Sequence, residues 1–160
     1  MAQARIFEEL KKDHDKHREL LEKLGETQGD SEERRTLFAA LSTELQAHAA
    51  AEEESLYAVM LACPELRDEA RHSVAEHKEI DDFLGELVNI EMSSPAWLAK
   101  FKDMRHRYLH HIEEEEEDMF PAAAKTLSAE TEAEIAKVFE KRKPKELAMA
   151  EPDAPGDDRD

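Results

Sequence analysis

The sequence predicts an all-α protein: an antiparallel up-down-up-down four-helix bundle with a short fifth C-terminal helix and a disordered acidic tail. Three observations predict it. Charged residues make up 39% of the 160 residues and only four are glycine, a balance that suits long solvated helices. Apolar residues recur at alternating three- and four-residue steps through four stretches, the period of a helix with one buried face. The connections between those stretches are short, so consecutive helices run antiparallel. The length suits one domain with room for a real core.

The first helix is expected from Gln3 to Leu24, with Phe7, Leu10, His14, His17, Leu21 and Leu24 on its stripe and Gly25 as its stop. Asp30, with Glu33 three residues on, resembles a capping box that opens the second. That helix turns Phe38, Leu41, Leu45, His48, Glu52 and Leu56 inward and ends near Cys63–Pro64. The third, starting at or soon after Pro64, presents Ala70, Ser73, His77, Ile80, Leu84 and Leu87. Ser94 is an N-cap and Pro95 the first helical position of the fourth. Its stripe is Trp97, Phe101, Met104, Tyr108, His111, Glu115 and Met119, and Pro121 is expected to kink or end it. Ser128, Glu130 and Glu132 open the fifth helix, which is expected to reach Lys141 and to pack through Ile135, Val138 and Phe139. The bundle therefore spans 1–127 and the fifth helix 128–142; prolines and acids without large apolar residues make 143–160 the tail.

Composition excludes several functions. A formal charge of −18 argues against nucleic acid or an anionic membrane as partner. The one cysteine, Cys63, rules out a disulfide framework within the chain and suits a reducing compartment. The N-terminus lacks the apolar core of a secretion signal, and no segment approaches the length of a membrane span. A cytoplasmic protein is expected.

The chemistry sits in a repeat. HAAAEEESLYAVM, from His48, matches HHIEEEEEDMFP at an offset of 63 residues: His48 with His111, Glu52 with Glu115, Leu56 with Met119, Tyr57 with Phe120. The same offset carries DHDKHRELLEKL, from Asp13, onto EHKEIDDFLGEL, from Glu76, pairing His14 with His77. The chain reads as two copies of one helical hairpin, each with two histidines and one glutamate in core phase. An uncompensated carboxylate among apolar neighbours is costly, and a cation neutralises it. Four imidazoles and two carboxylates, without thiolate, suit Fe, Mn or Zn. Two carboxylates from facing helices can bridge two ions about 3.5–4 Å apart. Ferritin-like bundles use Glu-x-x-His pairs instead, and only Glu69–His72 has that spacing here. His72–Glu76 and His110–Glu114 share the His-x-x-x-Glu spacing but lie one position off their stripes, and read as surface pairs. Glu53 likewise reads as a surface acid.

These motifs together resemble the hemerythrin-like, or HHE cation-binding, domain. They are Asp13-His14, His48-x-x-x-Glu52-Glu53-x-x-Leu56-Tyr57, Glu76-His77 and His111-x-x-x-Glu115-Glu116-x-x-Met119-Phe120-Pro121. The resemblance covers about Ile6 to Pro121. It implies an antiparallel four-helix bundle holding two non-haem iron ions with an oxo or hydroxo bridge, with Mn or Zn as substitutes. It assigns His14, His48, Glu52, His77, His111 and Glu115 as ligands, and a small diatomic molecule or peroxide as the bound species. Ser73 and Asp81 stand one turn either side of His77, where oxygen-carrying members have a further histidine. The fourth-helix carboxylate follows its histidine by four residues instead of five. Both departures disfavour reversible oxygen carriage and favour sensing of O2, NO or iron, or redox chemistry with O2 or peroxide. Two readings stay open: a binding or sensing protein acting through a signalling partner, and a di-iron oxidase or peroxidase fed by an electron-transfer partner. Tyr108, one turn before His111, is read either as a hydrogen-bond donor near the metals or as core filling. His17 is expected to be hydrogen-bonded beside the site.

Overall fold

Four long amphipathic helices bury their apolar stripes against one another in a computed structural model that describes residues 4–150. They are α1 (Arg5–Gly25), α2 (Glu32–Glu52), α4 (Arg67–Val88) and α5 (Pro95–Glu114). α1 packs against α2 and α5, and α4 against α5 and α2, so the four close into an antiparallel bundle. The proposed start at Gln3 lies outside the described residues. α2 is capped by Ser31, whose Oγ accepts from the Arg34 N–H, one residue later than the Asp30 box expected. Ser94 caps α5 as expected, its Oγ accepting from Ala96 N–H, with Pro95 behind it. At that end of the bundle the buried Arg34 donates to Thr27 Oγ1 (2.8 Å), Thr27 O (2.6 Å) and Met92 O (2.7 Å), tying the α1–α2 and α4–α5 connections together.

Both repeats contain a feature that periodicity does not reveal. α2 passes at Glu53–Tyr57 into a π-helical turn, then resumes as α3 (Ala58–Ala62). α5 does the same at Glu115–Met119 before α6 (Phe120–Thr126). A π turn inserts an extra residue and commonly marks a functional position in a helix. Here the first follows directly on the inward-facing Glu52, and the second begins at the inward-facing Glu115. Pro121 was expected to kink or end the fourth helix. Helical backbone instead continues through it to Thr126, and the first repeat bulges without any proline.

The core falls into two apolar layers. One gathers Ile6, Phe7, Leu10, Leu56, Met60, Phe120 and Ile135. The other gathers Leu24, Leu41, Leu84, Trp97, Phe101 and Met104 at the opposite end of the bundle. Histidines and carboxylates at the middle of the helices separate the two.

α7 (Ala129–Met149) starts at Ser128, whose Oγ accepts from Thr131 N–H. It packs on α1, α2 and the first π turn. Ile135, Ala136 and Phe139 are its buried face, whereas Val138, expected among them, is exposed. The helix also runs past the expected end at Lys141 and through Pro144, so 143–149 are helical and not the start of a disordered tail. An interior proline costs about 3 kcal/mol. Contacts with the bundle offset it: Lys143 Nζ lies 2.7 Å from Asp13 Oδ2 and 3.3 Å from Glu44 Oε2, and Glu146 is buried. The remainder of the proposed tail, 151–160, lies outside the described residues. Among the described residues no helix is long and apolar enough to cross a membrane.

Candidate metal centre

All six residues singled out from the repeat meet at the centre of the bundle, and all are buried: His14 and Glu52 at 0% exposure, the others at 4% or less. His14 Nε2 lies 3.1 Å from Glu115 Oε1. His48 Nε2 and His77 Nε2 are each 3.4 Å from the same oxygen, Glu52 Oε1. His111 stands edge-on to His77 with ring centroids 5.0 Å apart, and His14 is 5.2 Å from His48. The grouping is not the one the hairpins imply, because carboxylates cross between halves. His14 and His48 of the first half gather with Glu115 of the second, near enough for all three to hold one ion. Glu52 reaches histidines of both halves.

Each histidine is aimed by a carboxylate on its outer nitrogen. Nδ1 of His14 lies 2.7 Å from Glu116 Oε2, that of His48 2.9 Å from Asp13 Oδ2, that of His77 2.7 Å from Glu53 Oε2, and that of His111 2.7 Å from Glu76 Oε1. These four acids obey the 63-residue offset too: Asp13 with Glu76, Glu53 with Glu116. A ring that donates Nδ1–H to a carboxylate keeps Nε2 free to ligate and gains basicity, the usual support for a metal-bound imidazole.

The inner atoms face one another without a hydrogen bond. His14 Nε2, His48 Nε2, both oxygens of Glu52 and Glu115 Oε1 are buried and make no hydrogen bond. Buried polar atoms are ordinarily satisfied, and five orphans in one place, all of ligand type, fit one or more cations there.

The electrostatics of the metal-free centre agree. Burial would push His14 down, but Glu115 and Glu116 outweigh it and hold it up at about 9. His77 is raised to about 10, burial again being overcome by Glu52 and Glu53. Burial works against the Glu52 carboxylate as well, yet Glu115, His48 and His77 hold it well below its usual range. Glu115 is pushed up by burial and by the neighbouring Glu52. Without metal, protons do the neutralising.

Two tyrosines break the symmetry. Tyr57, opposite Phe120 in the repeat, stacks on His77 at 5.3 Å and donates its hydroxyl to Glu115 Oε2. Tyr108, opposite Leu45, is 2.7 Å through its hydroxyl from His17 Nδ1, and His17 Nε2 is 3.3 Å from Glu44 Oε2. Burial pushes His17 down to about 4, so the ring is neutral at physiological pH. The Tyr108 hydroxyl is thus directed to His17.

The profile of the hemerythrin HHE cation-binding domain matches residues 5–123. This chain belongs to that family. α7 lies beyond the matched residues. An uncharacterised protein of Mycobacterium tuberculosis is 29% identical to this HHE-domain chain over 116 residues, 72% of this chain and 70% of that protein. One from Mycobacterium bovis aligns equally, 29% over 116 residues. The crystal structure of a hemerythrin HHE cation-binding domain-containing protein from Mycobacterium kansasii matches with a TM-score of 0.79 and 27% identity, covering 93% of this chain and 90% of that one.

Sequence reasoning missed the aiming carboxylates as a set, although each stands next to a ligand in the chain: Asp13-His14, Glu52-Glu53, Glu76-His77, Glu115-Glu116. Glu53, expected to be a surface acid, instead reaches His77 Nδ1 from the rim of the bundle. Its replacement by alanine should cost roughly 10–100-fold in metal affinity, the range found when such a partner is removed. Glu117→Ala, on the exposed side of the second π turn, should change stability by no more than about 0.5 kcal/mol and leave metal content alone. Equal metal retention by the two variants, in competition with a chelator, would rule out an orienting role for Glu53.

Proposed function

We propose that this HHE-domain protein holds two non-haem iron ions between its crossed histidine–glutamate groups and there binds O2 or a related small ligand such as NO or peroxide. The observation that carries the reading is the cluster of five buried inner atoms without a hydrogen bond, behind four carboxylate-aimed imidazoles. His14, His48 and Glu115 would hold one ion and His77, His111 and Glu52 the other, with Glu52 Oε1 placed between His48 and His77 to serve both. Iron would supply one-electron chemistry and open positions for a small ligand. The chain's own residues do the rest. Apolar layers above and below exclude water, the Tyr57 hydroxyl fixes the second oxygen of Glu115, and the Tyr108 ring packs 6.0 Å from that of His111 while its hydroxyl meets His17. Reconstitution with ferrous iron under anaerobic conditions should give about two irons per chain, and admission of O2 should change the optical spectrum. A single tightly held metal would defeat the binuclear reading.

A second reading, turnover as an oxidase or peroxidase, is favoured by one feature. Tyr108, His17 and Glu44 form a hydrogen-bonded line that ends at Lys16 Nζ, 2.9 Å from Glu44 Oε1 and open to solvent. Such a line can move protons between the buried centre and bulk water. Sustained consumption of peroxide with an electron donor, slowed in Tyr108→Phe, separates turnover from simple ligand binding.

A further inference from the structure

Two His-x-x-x-Glu pairs remain outside the centre, His72–Glu76 on α4 and His110–Glu114 on α5, and the fold brings them together on the outer seam between those helices. His72 Nε2 is 3.3 Å from Glu76 Oε2, and His110 Nε2 is 2.8 Å from Glu114 Oε1. One ligand atom each from His72, Glu76 and Glu114 fall within 4.8 Å of one another, and His110 stands outside that group, joined to it through Glu114. Four tetrahedral ligands with bonds of 2.0–2.1 Å stand about 3.3 Å apart, so small side-chain rotations close this set on an ion. Glu76 itself is buried, and its inner oxygen is the acceptor for His111 Nδ1.

The internal two-fold says what the outer side of Glu76 requires. Its counterpart is Asp13, which also receives a histidine Nδ1–H from the inner centre. On Asp13 a second cationic group is supplied by the protein, the Lys143 ammonium of α7 at 2.7 Å. The positions matching His110 and Glu114 are Ala47 and Ala51, buried on α2, the helix against which α7 packs. On the second half the corresponding imidazoles stay open to solvent, His72 with its side chain 61% exposed and His110 63%. One half places an ammonium on its aiming carboxylate. The other places two imidazoles and a further carboxylate beside it.

We propose that His72, Glu76, His110 and Glu114 form an outer cation site for a divalent transition metal of the zinc type, filling on the second half the role that Lys143 fills on the first. Two imidazoles and two carboxylates from two helices are a donor set for such ions and not for calcium or magnesium. Because Glu76 is shared, a cation there draws on the carboxylate that aims His111, so outer occupancy should alter the inner centre. That coupling rests on His111 being an inner ligand; the outer site does not.

The full chain, loaded with iron and then dialysed against micromolar Zn2+, tests this by elemental analysis of both metals. About one zinc per chain should be gained with no loss of iron. In the His72→Ala/His110→Ala variant zinc affinity should fall about 10-fold or more while iron content stays at the unmodified level. Both substituted residues are exposed, so folding is not at stake. Zinc gained only as iron leaves, or zinc affinity unchanged in the double variant, would overturn the site. So would zinc binding that survives His72→Ala but is lost in His106→Ala, which would place the ion on a His106–His110 pair along α5 alone. Failure of the two-iron reading would appear separately, as low iron before any zinc is added.

Discussion

Glu115→Gln should lose two-metal occupancy while keeping its helices. Glutamine has the shape of the protonated carboxyl, and Glu115 is the member of the buried pair that burial and Glu52 push towards its neutral form. Burial and Glu52 both work against a charge at that position in the metal-free fold, so the amide costs the helices little and far-ultraviolet circular dichroism should be unchanged. A metal, by contrast, needs the anion beside His14 Nε2 at 3.1 Å. Affinity should fall by on the order of 100-fold or more, beyond the 10–100-fold seen when only an aiming partner is removed. Glu52→Gln should lose metal equally and in addition weaken the metal-free fold. Its charge is held on by Glu115, His48 and His77 against the cost of burial, and glutamine leaves those imidazoles without a counter-charge. Retention of two metals by Glu115→Gln would mean that Glu115 is not a ligand. Loss of helicity in that variant would mean that the carboxyl is needed for the fold in its charged form.

Stripping the metals should lower the melting temperature substantially, by an amount that depends on pH. An ion present at 1,000 times its dissociation constant stabilises the folded state by about 4 kcal/mol. For a domain of this size each kcal/mol corresponds to about 2–4 °C, so the shift should be on the order of 10 °C for each tightly held ion. The pH dependence has opposite signs in the two forms. In the metal-free protein His14 and His77 are raised to about 9 and about 10, above their ordinary values. Their contribution is complete below the unfolded histidine range near 6.5 and is lost as pH rises through the folded values. In the loaded protein those same protons compete with metal, so the metal's contribution grows as pH rises. The gap between the two melting curves should widen from about pH 6 to about pH 9. Loading at pH 7 in weak buffer should release about two protons per chain. Metal uptake with no proton release would contradict the protonated state assigned to His14 and His77. Coincident melting curves would mean that the ions sit outside the folded core.

Most of the frame was legible in the sequence because helix period, caps and repeat agree. Ser94–Pro95 and the stripe from Trp97 to Met119 located α5, and the offset of 63 residues selected six buried polar groups from a chain rich in charged ones. What stayed hidden has physical causes. Pro144 argued for a break, but Lys143 meets Asp13 and Glu44 across the bundle, and contacts distant in sequence are invisible to local propensity. The π turns were hidden because a single inserted residue leaves the apolar spacing almost unchanged, with Leu56 and Tyr57 both buried where one was expected. The role of Glu53 is hidden for a related reason: helical phase reports which side chain faces the axis, not which one reaches sideways to a neighbouring helix. The crossing of Glu115 to His14 and of Glu52 to His77 depends on which helices are adjacent, and the repeat does not specify that.

That crossing makes the two hairpins interdependent. A hairpin that placed its glutamate on its own first-helix histidine could assemble a site without help, and duplicating it would merely give two independent sites. In this protein the glutamate that meets each first-helix histidine comes from the other hairpin. Each hairpin is therefore incomplete by itself, and the two complete each other reciprocally. The C-terminal helix packs on the first hairpin, so a reciprocal assembly has one covered face and one open one.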